Sequence, residues 1–321
     1  MKLFTRYRAL ADYAGLLAVM VALCAFFSVT TNSFFSASTF ITVANQYADA
    51  TVLAVGMTFV LLVGGIDLSV GSVLALCGAV LGVCLTQWEW PLPAAIALCL
   101  AVGMTCGLVN GLIVVGWNIP SFIVTLGMMQ VARGLAFLAT GSHTQYIGGS
   151  IEVVTGVSWL SLGLPFWSAL ILVAAGQTVV SGTAYGRHLM AVGANEESAR
   201  LSGVRSRWVR LSVFIVSGVM AGVAAVIYTA RLGAADPNAG AGYELQAIAA
   251  AVIGGTSLMG GRGSVVSSLL GVLIIAVLAY GLTQMSTPDP AKSVVTGCVI
   301  VVAVIVDYYR HRLGAASTRL G

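Results

Sequence analysis

The sequence predicts an all-α polytopic membrane protein with about ten transmembrane helices and both termini in the cytoplasm. Three observations carry that expectation: a composition too apolar for water, apolar runs of span length, and a one-sided distribution of basic residues. Of the 321 residues 59% are hydrophobic and 8% charged, and the mean hydropathy is +0.98. An ordinary soluble domain carries about 25% charged residues, so a chain with this balance could not hide its apolar surface in water. The 38 glycines fit the same class, because small residues let membrane helices approach closely where dispersion packing replaces the hydrophobic drive. The net charge of +4 gives no reason to expect a nucleic-acid partner.

A bilayer core of roughly 30 Å needs about 20 apolar residues in helical form. By that ruler the spans fall at about 10–30, 48–65, 68–86, 91–115, 120–140, 162–181, 208–230, 244–260, 264–284 and 291–308. The basic, apolar N-terminus is read as a retained first span, because its apolar run is too long for a signal peptide and no small-x-small cleavage site follows Ala25. The chain from Ala50 to Gln87 holds one charged residue, Asp67. As a single helix its length would be about 57 Å, nearly twice the core, so it is two spans. Gly64-Gly65 breaks the helix, since glycine costs about 1 kcal/mol in a helix interior relative to alanine. Asp67 or Ser69 then caps the second span by accepting from its free N–H groups. That places Asp67 in a tight turn near a membrane face. The eighth span is short and ends in glycines. Residues 63–83 and 253–273 echo each other faintly: a Gly-Gly break (Gly64-Gly65, Gly254-Gly255), a leucine, and a Gly/Ser-rich restart. Interrupted helices in repeated halves are a transporter feature near the substrate path.

Orientation follows from lysine and arginine. With the N-terminus inside, ten spans place Lys2, Arg6, Arg8, Arg187, Arg200, Arg205, Arg207, Arg210, Arg262, Arg310, Arg312 and Arg319 on the cytoplasmic side, twelve of the fifteen basic residues. Arg231 and Lys292 fall outside and Arg133 lies within the fifth span. Trp88 and Trp90 fit an aromatic belt at the outer face. The longest cytoplasmic segment, 182–207, is too polar to cross. Asn195 followed by Glu196 and Glu197 starts a helix there, Arg200 and Arg205 fall toward its end, and Gly203 stops it. Flanked by Gly193 and Gly203, it is either a docking element or a solvated connecting loop.

Catalytic chemistry has little to stand on. The sequence has no P-loop, HExxH, CxxC or GxSxG pattern. His143, His188 and His311 stand apart, without a ligand-spaced partner. The cysteines Cys24, Cys77, Cys84, Cys99, Cys106 and Cys298 lie in apolar runs and read as small packing residues. An ion-coupled carrier would need a titratable relay inside the membrane, and both Asp67 and Asp49 are expected near span ends.

Several segments in order resemble the permease subunits of bacterial ABC importers for simple sugars, the ribose, arabinose, xylose and galactose group. They are "AVGMTFVLLVGGIDLSVGSVLAL" (54–76), "GLVNGLIV" (107–114), "PSFIVTLGMMQVARGLAFL" (120–138), "GRHLMAVGANEESARLSGV" (186–204) and "ARLGAADPNAGAGYELQAIAAAVIGGTSLMGGRGSVVSSLLGVLI" (230–274). The resemblance runs from about residue 40 and is weakest at 141–165 and the tails. It implies a single permease domain (1–321) in the bacterial inner membrane, paired with a second copy of itself. It also implies a cytoplasmic two-domain ATPase, which would hold ATP and Mg, and an external sugar-binding protein. This chain would bind no cofactor.

Gly193, Asn195, Glu196, Glu197, Arg200, Leu201 and Gly203 match the position of the family's coupling loop. Gly64, Gly65, Asp67, Ser69, Gly254 and Gly255 would serve as helix breaks in gating. Polar membrane residues are candidates for the sugar path: Asn45, Gln46, Asn110, Gln130 and Arg133. For Asn110 and Gln130 the competing role is helix–helix hydrogen bonding. Arg133 would snorkel, pair with Glu152 or Glu244, or face the path. Arg231, Asp236 and Glu244 offer a binding-protein docking surface or a merely solvated loop. The motifs leave the cargo open between a monosaccharide and another small polyhydroxylated solute such as a nucleoside or polyol.

Overall fold

The computed structural model describes residues 2–31, 34–299, 301, 302 and 305. Arg310, His311, Arg312 and Arg319, and the end of the tenth expected span, lie outside them. The first helix, α1 (Lys2–Thr30), runs on from residue 2 as one element. A short helix the sequence did not announce, α2 (Ala37–Gln46), follows, its N-terminus capped by Ser36, whose Oγ accepts from Thr39 N–H at 3.2 Å. Then come α3 (Ala48–Leu62) and α4 (Val70–Thr86), separated by the break at 63–69 that helix length demanded.

Next are α5 (Leu92–Trp117) and α6 (Ser121–Thr140), each opened by prolines that suit a helix start. Asn118, in the left-handed region at φ 54°, ends α5 and turns the chain into α6. The next stretch holds β1 (Gln145–Tyr146), α7 (Glu152–Gly156), β2 (Ser158–Trp159) and β3 (Leu162–Gly163). The chain continues as α8 (Leu164–Gly182), α9 (Ala184–Ala194), α10 (Glu196–Leu201) and α11 (Ser206–Leu232). Last come β4 (Ala234–Ala235), α12 (Tyr243–Ile253), α13 (Val265–Gln284) and a helical stretch at 289–299.

Six described helices are long and apolar enough to cross a membrane, and α3, α4 and α12 are shorter apolar helices. The eighth span is a correction. Expected over 244–260, it is the 11-residue α12, and the glycine-rich chain after it belongs to a second break at 254–264. At 1.5 Å per residue α12 is about 16 Å long, half the apolar core. The sequence ruler overran because glycines and small apolar residues continue the hydropathy beyond the hydrogen-bonded helix.

The core lies where α3, α4 and α11 meet. Every residue of α3 except Ala50 is buried, as a helix hydrophobic all round requires. Helix α11 crosses α5 on glycines: a Cβ on Gly103 would overlap the Gly218 carbonyl, and one on Gly107 the Phe214 carbonyl. The two backbones are in contact there, the small-residue packing expected of membrane helices. At one end of the bundle β1 pairs antiparallel with β4 (Gln145 opposite Ala235, Tyr146 opposite Ala234). At the other end lie α9, α10 and both helix breaks. All six cysteines are free.

Candidate functional site

Local sequence builds α10. Asn195 is its N-cap, with Oδ1 accepting from Ser198 N–H at 2.9 Å. Glu196 and Glu197 occupy the first turn, where the helix dipole favours negative charge. Arg200 clasps Glu197 through two bonds, Nη2 to Oε1 at 2.6 Å and Nε to Oε2 at 3.1 Å. That guanidinium holds the Glu197 carboxyl below the usual carboxylate range. Gly203, at φ 87°, ends the helix by donating to the Arg200 carbonyl. Glu196 reaches Arg210 of α11 at 3.1 Å.

Ala199 is buried against the bundle while Leu201 is 78% exposed. Beside α10 opens a concavity of about 1010 Å³, whose lining includes Glu197, Arg200, Arg205, Arg207, Trp208 and Arg210. Its charge balance is positive, and Trp208 is 66% exposed. The helix start at Asn195, the stop at Gly203 and Arg200 in the last turn are where the sequence put them, whereas Arg205 lies beyond α10, at the N-cap position of α11.

The first helix break is a polar knot. Asp67 is 1% exposed. Its Oδ1 accepts from Ser69 N–H at 3.0 Å and Ser69 Oγ–H at 2.6 Å, and its Oδ2 accepts from Ser217 Oγ–H of α11 at 2.8 Å. Asn110 of α5 donates to Ser69 Oγ at 3.0 Å. The backbone freed by the break is satisfied from α6: Ile66 N–H donates to Ser121 Oγ at 2.9 Å and Leu68 N–H to Thr125 Oγ1 at 3.0 Å.

This corrects one expectation. Neither Asp67 nor Ser69 caps α4; Ser69 holds the N-cap position, but its side chain turns to Asp67. The turn that holds Asp67 is buried, because Ser217, near the middle of α11, draws it into the bundle. Buried polar groups require partners, and the turn has folded inward to find them. At the second break α12 ends at Ile253 with Gly254 as its C-cap, and Gly255 takes φ 85°.

The five path candidates do not converge. Asn45 pins the β2–β3 turn, accepting from Gly163 N–H at 2.8 Å and donating to the Ser161 carbonyl at 3.4 Å. Asn110 is buried in the knot. Arg133 neither snorkels nor pairs with Glu152 or Glu244; it donates to the carbonyls of Pro237 (2.6 Å) and Ala239 (2.8 Å), tying α6 to the loop before α12. Gln46 and Gln130 are exposed on the outside of the bundle.

The proposed docking charges also part company. Arg231 turns inward to Asp49 of α3 at 2.9 Å and lies over the Tyr228 ring, 5.1 Å from its centroid. Asp236 accepts from the backbone and side chain of Asn238, and Glu244 is half-buried beside Gly71. Sequence reasoning missed Ser121, Thr125 and Ser217 as partners of the break. The available signal was their position, as hydroxyls at or inside apolar spans.

A model of permease components of the branched-chain amino acid transport system matches residues 39–304. This chain belongs to that permease family. It is a multi-pass membrane protein and a transport subunit rather than an enzyme. It is 38% identical to the ribose import permease protein RbsC of Haemophilus influenzae, over 90% of this chain and 91% of that one. The xylose transport system permease protein XylH of Escherichia coli is 33% identical, over 91% of this chain and 90% of its own. The autoinducer 2 import system permease protein LsrC of Photorhabdus luminescens is also 33% identical, over 90% and 88%.

Proposed function

We propose that this chain is the membrane-spanning permease of an ATP-driven importer for a monosaccharide, working as a homodimer in a bacterial inner membrane. A cytoplasmic two-domain ATPase, which holds the ATP and Mg, docks on α10. A sugar-binding protein delivers cargo at the opposite end. The observation that carries this reading is α10 itself: a capped six-residue helix with an exposed leucine at its end, beside a basic concavity, in a chain whose relatives are named for ribose, xylose and autoinducer 2 import. Ten crossings, counting α12 and the 289–299 helix, put both termini and α10 on one side, in keeping with the basic residues around α10.

Energy enters only at α10 in this scheme. Closure of the ATPase pair displaces α10, and the spans joined to it swing between outward-open and inward-open arrangements. Relatives named for different cargoes share one permease pattern, so the binding protein supplies most of the recognition and the permease holds cargo briefly.

The test is reconstitution of the permease with its ATPase and binding protein in proteoliposomes, following radiolabelled ribose and xylose. Uptake of either that requires internal ATP supports the reading, and competition by nucleosides or polyols would shift the cargo to the broader class. Uptake driven by an ion gradient without the ATPase would sink it.

A further inference from the structure

We infer that Leu62, Gly193 and Gly261 form a rigid backbone joint through which α10 moves both helix breaks as one body. The inference rests on the coupling role given to α10 and adds the route by which its displacement travels. Gly193 lies at the end of α9, three residues before α10 begins. Leu62 is the last residue of α3, and Gly261 belongs to the break between α12 and α13.

At this point three chain segments touch through main chain. Gly261 N–H donates to the Leu62 carbonyl at 2.9 Å. A Cβ on Gly193 would overlap that same carbonyl and the Gly261 nitrogen. A Cβ on Gly260 would crowd Gly64 N at 2.8 Å and the Gly193 carbonyl at 2.9 Å, and one on Gly261 would lie 3.0 Å from Ala194 Cβ. Around this main-chain contact Leu189 and Val192 of α9 share a buried apolar cluster with Leu62 and Val63.

The direct main-chain contact is the mechanical argument. A side chain between two elements can change rotamer and absorb a displacement, whereas packed backbone moves only as a unit. α10 also meets α11 through buried Ala199, which shares an apolar cluster with Val209 and Val213, and through the Glu196–Arg210 pair, whose glutamate side chain is 43% exposed. That solvated pair is weak, and the joint is the direct main-chain route to α3 and α12. Leu62 in turn leads directly into the Asp67 knot, so a shift at Gly193 reaches Ser69, Asn110 and Ser217 through one turn of chain.

Gly193 and Gly261 are therefore positioning residues, and the test separates motion from folding. Ala194→Cys with Gly261→Cys places two thiols across the joint, and copper-phenanthroline oxidation links them. The cross-linking rate is measured in the ATPase-bound permease, resting and vanadate-trapped, with each single-cysteine variant as control. A rate equal in both states within about twofold marks one rigid body; a change of about tenfold or more between states overturns the joint. This arm reads the joint whatever the cargo is, so its failure is distinct from failure of the sugar reading, which shows as no ATP-dependent uptake by the unaltered importer.

The second variant, Gly193→Ala, forces the joint apart. Ribose or xylose taken up per ATP hydrolysed is expected to fall about tenfold or more. Gly182→Ala, where the nearest atom to the new methyl is at 3.9 Å, is the control. A Gly193→Ala importer coupled within about twofold of the unaltered one would also overturn the joint. If Gly193→Ala does not assemble, the cross-linking arm decides alone.

Discussion

The two helix breaks begin with the same pair of glycines and are held in different ways. At 63–69 the chain is stitched by side chains: Asp67, Ser69, Ser217 and Asn110 on one side, Ser121 and Thr125 on the other. At 254–264 it is shaped chiefly by main chain, with Ser257 N–H donating to the Arg262 carbonyl at 2.9 Å and glycines 255, 260 and 261 all at positive φ. A side-chain knot fixes one geometry, because every donor has a particular acceptor. A glycine-shaped turn fixes its path by sterics. The first break is thus anchored by side chains and the second by close main-chain packing.

Substitutions can break or sharpen that contrast. The largest effect is expected from Gly254→Val, whose Cβ would overlap the Ser267 main chain of α13. Overpacking there should cost about 3 kcal/mol, read as a lowered SDS midpoint of unfolding; an unchanged midpoint would mean that α12 and α13 separate readily.

Asp67→Ala is expected to cost about 2 kcal/mol by the same measurement, since it strands the Ser69 and Ser217 hydroxyls in a dry knot. Asp67→Asn keeps the shape and should cost less. If Asp67→Ala proves silent, the first break is no anchor.

Thr125→Val leaves Leu68 N–H without its acceptor and should cost about 1 kcal/mol.

The smallest effect belongs to α10. Arg200→Ala should leave unfolding midpoints unchanged, because its pair with Glu197 is solvated. The folded Glu197 carboxyl titrates below its ordinary range, so the pair's small contribution is complete above the unfolded-state value. It is lost as pH falls through the lower, folded value. Coupled uptake should respond to Arg200→Glu even though stability does not; normal uptake would remove α10 from the contact with the ATPase.

What was legible in the sequence was local. Asn195, Glu197 and Gly203 announce α10 because capping and helix stops are decided within a turn of chain. Helix length alone divided 50–87, since no bilayer accommodates its full run. Long-range pairing was closed to such reasoning. Asp67 meets Ser217 across 150 residues and Arg231 meets Asp49 across 182, and nothing in a linear pattern selects those partners. The same limit explains the path candidates: polar residues inside spans were visible, but whether each served cargo, a neighbouring helix or a loop carbonyl depended on folding. The overrun of α12 has another cause, because hydropathy measures apolarity and glycine-rich turns can be apolar without being helical.

The short ladder between β1 and β4 bears on how this protein is made. Gln145 pairs with Ala235, some 90 residues later in the chain. At synthesis rates of 5–20 residues per second the first strand waits roughly 5 to 20 s for the second. In the proposed topology the segment after α6 stands during that interval without its partner on the far side of the membrane. The ladder can close only once α11 has been threaded across, so it records the completion of a translocation event. Lengthening the loop between α7 and α8 should leave that order untouched, whereas delaying insertion of α11 should hold the strand open to protease for as long as the delay lasts.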